Sequence, residues 1–128
     1  PQLAESDVEI NTLKAAFEAA VIECEVDDDG DLYLSDGIEF PVWLSIGRNS
    51  RLIHFHTFFP DVTTDPERVN ALNYKYRTAQ FAYANDRLVA NYQMTYRFGA
   101  DTRQIIWMAR DFASICAAAM KEIRETKI

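Results

Sequence analysis

Residues 27–59 alternate apolar and polar side chains in short runs separated by turn residues, and this pattern constrains the fold more than any other part of the chain. The segment reads DDDGDLYLSDGIEFPVWLSIGRNSRLIHFHTFF. Alternation with a period of two places successive side chains on opposite faces of a strand, and Asp and Gly accept the backbone angles of tight hairpins. The pattern therefore predicts an antiparallel β-meander.

Four strands are predicted once the residues just before this segment are included. They cover residues 22–26, 31–35, 40–46 and 51–59. The fourth carries apolar side chains on both faces, which is typical of a strand near the middle of a sheet.

Helical periodicity lies on both sides of the meander. Ser6 and Glu9 have capping-box spacing and predict a helix over 6–20. Asp65 is the expected N-cap of a second helix over 65–78, because proline follows it at the first helical position.

The last third of the chain predicts two strands and a long helix. A short strand covers 81–84, and the regular alternation of 87–98 predicts a long strand. The side chains expected on its core face are Leu88, Ala90, Tyr92, Met94, Tyr96 and Phe98. Asp101 and Gln104 then have capping-box spacing at the start of the final helix, which ends in the charged tail 121–127. The apolar stripe of this helix is broad enough for a second contact, either with the first helix, which we favour, or with another subunit.

The predicted order is αββββαββα, an α+β fold in which helices flank an antiparallel sheet. The 128 residues fit one domain over 1–128, because 48% of them are hydrophobic and can build a core without disulfides or metals.

Charge and cysteine content narrow the classes of partner and compartment. The formal net charge of −7 makes nucleic acid and anionic membrane unfavourable partners, and it favours basic protein segments. Cys24 and Cys116 lie in apolar stretches, as expected of buried thiols in a reducing compartment. No transmembrane run or signal-peptide pattern occurs, so we expect a cytoplasmic protein.

Several strings in the chain resemble the YbjN-like family of bacterial sensory-transduction regulators. They are the acidic turn DDDGDLYL, the paired strands FPVWLSIGRNSRLIHFHTFF, the helical string RVNALNYKYR and the strand end FGADTRQIIWMARDF. The resemblance covers nearly the whole chain. It implies a fold shared with type III secretion chaperones, a homodimer, and a non-catalytic role in binding a protein or peptide partner. It implies no catalytic residues and no cofactor.

The acidic segment 25–36 has an alternative interpretation as a calcium loop. Glu25, Asp27, Asp29, Gly30 and Asp36 occupy positions 1, 3, 5, 6 and 12 of such a loop. Glu at the first position, Asp at the last and strand-like flanks favour a solvated hairpin turn instead.

A second alternative is a metal-dependent protein or small enzyme. His54 and His56 are two residues apart on a predicted strand, so they share a face. Two imidazoles bind zinc or copper when carboxylates join them, and the candidate ligands are Asp27, Asp29 and Asp31. Because spacing alone fixes no third ligand, ordinary sheet residues are the favoured interpretation.

Aromatic residues are numerous, and most are expected in the core. Large flat side chains also supply affinity at protein interfaces. The residues predicted to contact a partner or a second subunit are Trp43, Tyr92, Met94, Trp107 and Phe112.

Overall fold

The computed structural model describes residues 1–125, which form three helices and eight strands. The three residues beyond Glu125 lie outside the described range, and the predicted charged tail extends into them. In chain order the elements are β1 (Gln2–Leu3), α1 (Ile10–Ala19), β2 (Glu23–Val26), β3 (Leu32–Asp36), β4 (Val42–Gly47), β5 (Leu52–Phe59), α2 (Pro66–Lys75), β6 (Gln80–Ala84), β7 (Arg87–Thr95), β8 (Ala100–Asp101) and α3 (Thr102–Glu125).

Six strands form one antiparallel sheet in the order β2-β3-β4-β5-β7-β6. The predicted α+β fold and the meander of its first four strands are confirmed, and β5 lies inside the sheet as its two-sided apolar pattern predicts. Most boundaries differ from the predicted ones by one to three residues. The strands β1 and β8 pair with each other in a separate two-stranded ladder, which local patterns did not predict.

The core lies on one face of the sheet, beneath the three helices. From β5, Ile53, Phe55 and Phe59 are fully buried there, while the alternate residues of the strand lie outside the core cluster. Thr57 is the polar member of the buried set, and its hydroxyl donates a 2.7 Å hydrogen bond to the Pro41 carbonyl. This bond satisfies the buried hydroxyl and ties β5 to the segment that leads into β4.

The predicted start of the first helix is wrong. Residues Glu5–Asp7 form a short 3₁₀ turn, and α1 begins only after Glu9. Glu5 lies just before the predicted helix, and its carboxylate accepts hydrogen bonds from the Arg51 side chain and the Phe98 backbone N–H. These two long-range contacts hold the turn against the sheet, which a local capping rule does not include.

The predicted extent of the long strand is also wrong at its end. β7 stops at Thr95, and Phe98, expected on the core face, is 96% exposed with φ of 67°. Tyr96 stays in the core because its N–H donates to the Arg51 carbonyl and its hydroxyl donates to the Gly47 carbonyl at 2.8 Å. The chain then turns sharply through Gly99, whose φ is 102°.

The other helix starts agree with the predicted caps. Asp65 accepts a hydrogen bond from the Arg68 N–H at 2.9 Å, and Asp101 accepts one from the Arg103 N–H at 2.9 Å. Helix α3 contacts α1, and Arg110 donates to the Ala20 carbonyl at 2.9 Å, so the broad apolar stripe has an intramolecular partner. No helix in residues 1–125 combines the length and apolar character needed to cross a bilayer.

We expect Tyr96→Phe to lower the free energy of unfolding by about 0.5–1.5 kcal/mol, because it removes a buried hydrogen bond, while the Gly47 carbonyl keeps its bond from the Arg51 N–H. Tyr83→Phe is the matched control, since its hydroxyl makes a comparable bond to the Asp86 carbonyl at an exposed site. The control variant should change stability by less than about 0.5 kcal/mol. Urea unfolding of both variants measures the difference, and equal losses would contradict the anchoring role of Tyr96.

Candidate functional site

Within residues 1–125 the helices pack on the core side of the sheet, and we call the opposite face the open face. It carries Tyr33, Trp43, His54, His56 and Phe58. These side chains are half-buried although none belongs to the core cluster or its packed neighbours. Their partial burial therefore comes mainly from contacts with one another and with the adjacent turn.

Three aromatic rings stack across the open face, and we call them the aromatic row: Tyr33, Trp43 and Phe58. The Tyr33 and Trp43 ring centroids are 4.6 Å apart, and those of Trp43 and Phe58 are 5.5 Å apart. The Arg87 guanidinium lies 4.2 Å from the Phe58 centroid and ends the row on that side. Such stacked rings and the cation over them fix the side chains before any partner binds.

Strand register explains this arrangement. Tyr33 is directly opposite Trp43, Trp43 is opposite His56, and His56 is opposite Asn91. Directly opposed side chains in antiparallel strands are close enough to interact, so the register assembles one continuous row of contacts across four strands. His54 lies beside this row, with its ring centroid 5.1 Å from that of His56.

A cleft of about 340 Å³ occupies this part of the open face. Its lining residues come from strands β4, β5 and β7 and from the β2–β3 turn, with none from a helix. They are Asp27, Asp29, Asp31, Trp43, His54, His56, Thr57, Phe58, Arg87, Val89, Ala90 and Asn91. The structure thus brings together all five residues of the predicted metal alternative, and it adds Trp43 from the predicted interface.

The acidic turn, residues 27–31, is a hydrogen-bonded hairpin. One carboxylate oxygen of Asp27 accepts from the N–H groups of Asp29 and Asp31, each at 3.0 Å. Gly30 has a φ of 83°, the left-handed conformation that this turn requires. Asp36 lies at the far end of β3, about five strand residues or 16 Å away. The calcium-loop interpretation therefore has no structural support.

Burial controls the electrostatics of the cleft. Desolvation lowers the pKa of His54, and desolvation followed by the neighbouring His54 lowers the pKa of His56. Desolvation, and then the charge of Asp27, raises the pKa of Asp31. His56 Nε2 is 3.8 Å from an Asp31 oxygen, and His54 Nε2 is buried without a hydrogen-bond partner in residues 1–125. The site therefore favours neutral imidazoles near neutral pH.

The geometry gives the metal alternative no support. Within the described residues, no three His, Cys, Asp or Glu side chains converge as a group that could hold an ion. Asp27 directs a carboxylate oxygen to backbone N–H groups of its own turn, so that oxygen is already engaged.

The predicted interface residues are scattered over the molecule. Trp43 lies in the aromatic row, and Trp107 is 61% exposed on α3. Tyr92 and Met94 pack partly buried on the core face, and Phe112 is only 2% exposed inside the core. This burial argues against direct partner contact by Phe112, and the assignment of the other four to an interface stays a prediction.

Sequence reasoning did not single out Phe58, Arg87 and Asn91 as site residues. All three line the cleft, and Arg87 with Phe58 forms its cation–aromatic contact. The sequence signal was present in part, because Phe58 has the same parity as His54 and His56 on one strand. Arg87 and Asn91 reach the cleft because β5 pairs with β7 rather than with β6, and no local pattern shows that pairing.

We expect a pH effect on stability from His54 and His56. Their pKa values lie below 6.5 in the folded protein, so the unfolded chain takes up protons more readily as pH falls past that value. The free energy of unfolding should therefore decrease between about pH 7.5 and about pH 5.5. Asp31, whose pKa is raised from 3.8, acts in the opposite direction at lower pH.

The double variant His54→Gln/His56→Gln separates the contribution of the two imidazoles from the effect of the general loss of negative charge as pH falls. Its stability should fall less than that of the wild type over the same pH range, as measured by urea unfolding at each pH. Parallel curves for the two proteins would show that the imidazoles do not contribute.

The comparisons with known proteins agree with this architecture. A family model described as "YbjN: Putative bacterial sensory transduction regulator" matches residues 9–125. No curated protein matches the chain. A solved structure described as "Crystal structure of YbjN, a putative transcription regulator from E. coli" has a TM-score of 0.74 at 15% identity, covering 98% of this chain and 96% of that one.

At that identity the structural likeness shows the fold alone, and the predicted kinship with type III secretion chaperones stays a prediction. The family match is independent of it and spans nearly all of the chain. On that match, the chain belongs to the YbjN family.

Proposed function

We propose that this chain is a non-enzymatic regulatory protein that binds a protein or peptide partner through the open face of its sheet. The aromatic row is the observation that carries the proposal. Three stacked rings stand on a face without helices, held between a turn of carboxylates and the Arg87 guanidinium. Preordered aromatic side chains lose little conformational entropy when a partner covers them, so they give binding energy efficiently.

The polar groups of the cleft suit binding better than catalysis. His56 faces Asp31, and His54 Nε2 has no hydrogen-bond partner within the described residues. Neither arrangement supplies the hydroxyl or thiol that an imidazole activates in nucleophilic catalysis. The description of the family as a regulator supports the same conclusion.

Charge indicates the kind of partner. The chain carries a net charge of −7, and three aspartates of the acidic turn line one side of the cleft. This charge attracts basic segments of a protein and repels nucleic-acid phosphate. The proposed partner is therefore a basic segment of a protein.

The proposal includes a cytoplasmic homodimer. Trp107 supports the dimer, because it is 61% exposed on α3 and tryptophan is typical of interface centres. Cys24 and Cys116 support the location, because both thiols are free and buried, as expected in a reducing compartment.

Photo-crosslinking from the open face tests partner binding. We expect a benzoylphenylalanine in place of Trp43 to form a discrete adduct with one protein when irradiated in cells of the natural source. The same residue in place of Tyr74, an aromatic that is 75% exposed on α2, is the matched control and should not form this adduct. Mass spectrometry of the adducts identifies the partner.

Trp43→Ala tests whether the contact between Trp43 and the partner contributes binding free energy. It should weaken binding of the identified partner at least about tenfold, since truncation of a central aromatic residue typically costs more than 1 kcal/mol. Circular dichroism must show an unchanged fold. Unchanged binding, or equal crosslinking from positions 43 and 74, would contradict a role for the open face.

Sedimentation equilibrium tests the dimer. The wild type should have twice the 14.7 kDa mass of the chain. Trp107→Glu should shift it to the monomer mass, because a buried unpaired carboxylate destabilises an interface. Tyr74→Glu, at an aromatic position that is even more exposed than Trp107, should leave the dimer intact, and dissociation by both variants would exclude a specific role for Trp107.

A further inference from the structure

The two edges of the six-stranded sheet differ in how their outward backbone groups are satisfied. At β6, the Asn73 side chain donates to the Phe81 carbonyl at 3.0 Å and accepts from the Phe81 N–H at 2.7 Å. This amide makes the two bonds that an added strand would make to Phe81. The β6 edge is therefore blocked by α2 at that residue.

The β2 edge lacks such a cover on its backbone. The Asp27 N–H donates to the Asp31 carbonyl at 2.9 Å, so the backbone N–H of Asp27 points toward the returning strand beside the turn. Hydrogen-bonded and non-hydrogen-bonded pairs alternate along an antiparallel ladder, which directs the backbone groups of Val26 and Cys24 away from β3. Within residues 1–125 these outward groups have no backbone partner.

The side chains along β2 select the strand that this edge accepts. Glu23 and Glu25 are exposed, so a second copy of β2 would bring carboxylates into register with carboxylates, which is destabilising. A segment that places basic residues beside Glu25 replaces this repulsion between carboxylates with attraction. On the other face of β2, Val26 is 44% exposed and offers an apolar neighbour. The complementary segment therefore alternates basic and apolar residues.

The end of the aromatic row specifies the basic residue. Arg87 covers the Phe58 ring at one end, whereas Tyr33 ends the row on the β2 side, directly opposite Glu25. In the described residues Tyr33 has one ring contact, with Trp43, and no cation over its other face. A guanidinium can stack on that face while it pairs with the Glu25 carboxylate, and its planar shape suits both contacts better than an ammonium does.

We propose that β2 adds an extended segment of a partner protein in which arginine alternates with apolar residues, and that one arginine binds between Tyr33 and Glu25. The inference rests on the proposed partner binding and adds the backbone conformation of the partner and its recognition residue. In this arrangement the β2 backbone supplies affinity, and the side-chain pocket supplies selectivity.

A synthetic peptide of about ten residues that alternates arginine and valine is the probe, a length that covers a typical strand. Amide hydrogen exchange of Cys24 and Val26 should slow when this peptide is added, because their N–H groups become bonded. Exchange of the Phe81 amide, already bonded to Asn73, is the internal control and should not change. The lysine analogue should bind about two- to fivefold more weakly, and the glutamate analogue should not bind.

Val26→Pro tests the backbone hydrogen bonds of the β2 edge separately from the side-chain contacts. It removes an N–H that points away from β3, so the β2–β3 bonds remain, as proline at a sheet edge allows. This variant should lose the exchange protection of Cys24 and bind the peptide about tenfold more weakly, which corresponds to the loss of one edge hydrogen bond. Glu25→Lys keeps the backbone edge intact and should reverse the preference, so that the glutamate analogue binds in place of the arginine peptide.

Tyr33→Leu tests the arginine pocket separately from the edge. It should reduce the affinity of the arginine peptide to that of the lysine analogue without loss of Cys24 protection. Equal binding of the arginine and glutamate peptides to the wild type, or protection that does not include β2, would overturn the proposal. A Trp43 photo-crosslink that persists at full yield in the Val26→Pro protein would leave the open-face proposal standing and overturn strand addition.

Discussion

The alternation of side chains along β5 is the constraint on which the rest of the structure depends. Ile53, Phe55 and Phe59 are fully buried beneath the helices, and the side chains of His54, His56 and Phe58 stand on the open face. A shift of one residue in register would exchange these two sets and place His54 and His56 inside the core. Such an exchange would desolvate two imidazoles without partners, so burial of the apolar set fixes where the cleft residues appear.

Most of the fold could be predicted because its determinants are local. Alternating residues, aspartate–glycine turns and the caps at Asp65 and Asp101 each act over a few residues, and the structure confirms the strands and helices that they indicate. The errors occurred where contacts between residues distant in sequence determine the local structure. The predicted helix start at Ser6 is wrong because the preceding Glu5 binds Arg51 and the Phe98 N–H, which are remote in sequence, and residues Glu5–Asp7 form a 3₁₀ turn there.

The candidate site could be predicted only in part, for the same reason. The parity of His54 and His56 on one strand was visible, and so was the acidic turn. Whether the two would meet depended on the lengths of the hairpins and on the order of strands, which no short pattern contains. The contribution of Arg87 required the pairing of β5 with β7, a contact between residues separated by a helix and a strand.

In the proposed binding mode, the open face and the β2 edge supply different parts of recognition. Backbone hydrogen bonds at a sheet edge hold almost any extended segment, so they supply affinity without reading its sequence. Side chains such as Tyr33 and Glu25 then discriminate, because register decides which residue of the segment reaches them. The stacked aromatic row holds Tyr33 in position, so this discrimination does not require the face to reorganise. In this proposal, a sheet with one capped and one uncapped edge binds a partner selectively, while the carboxylates of β2 oppose pairing with the β2 edge of a second copy.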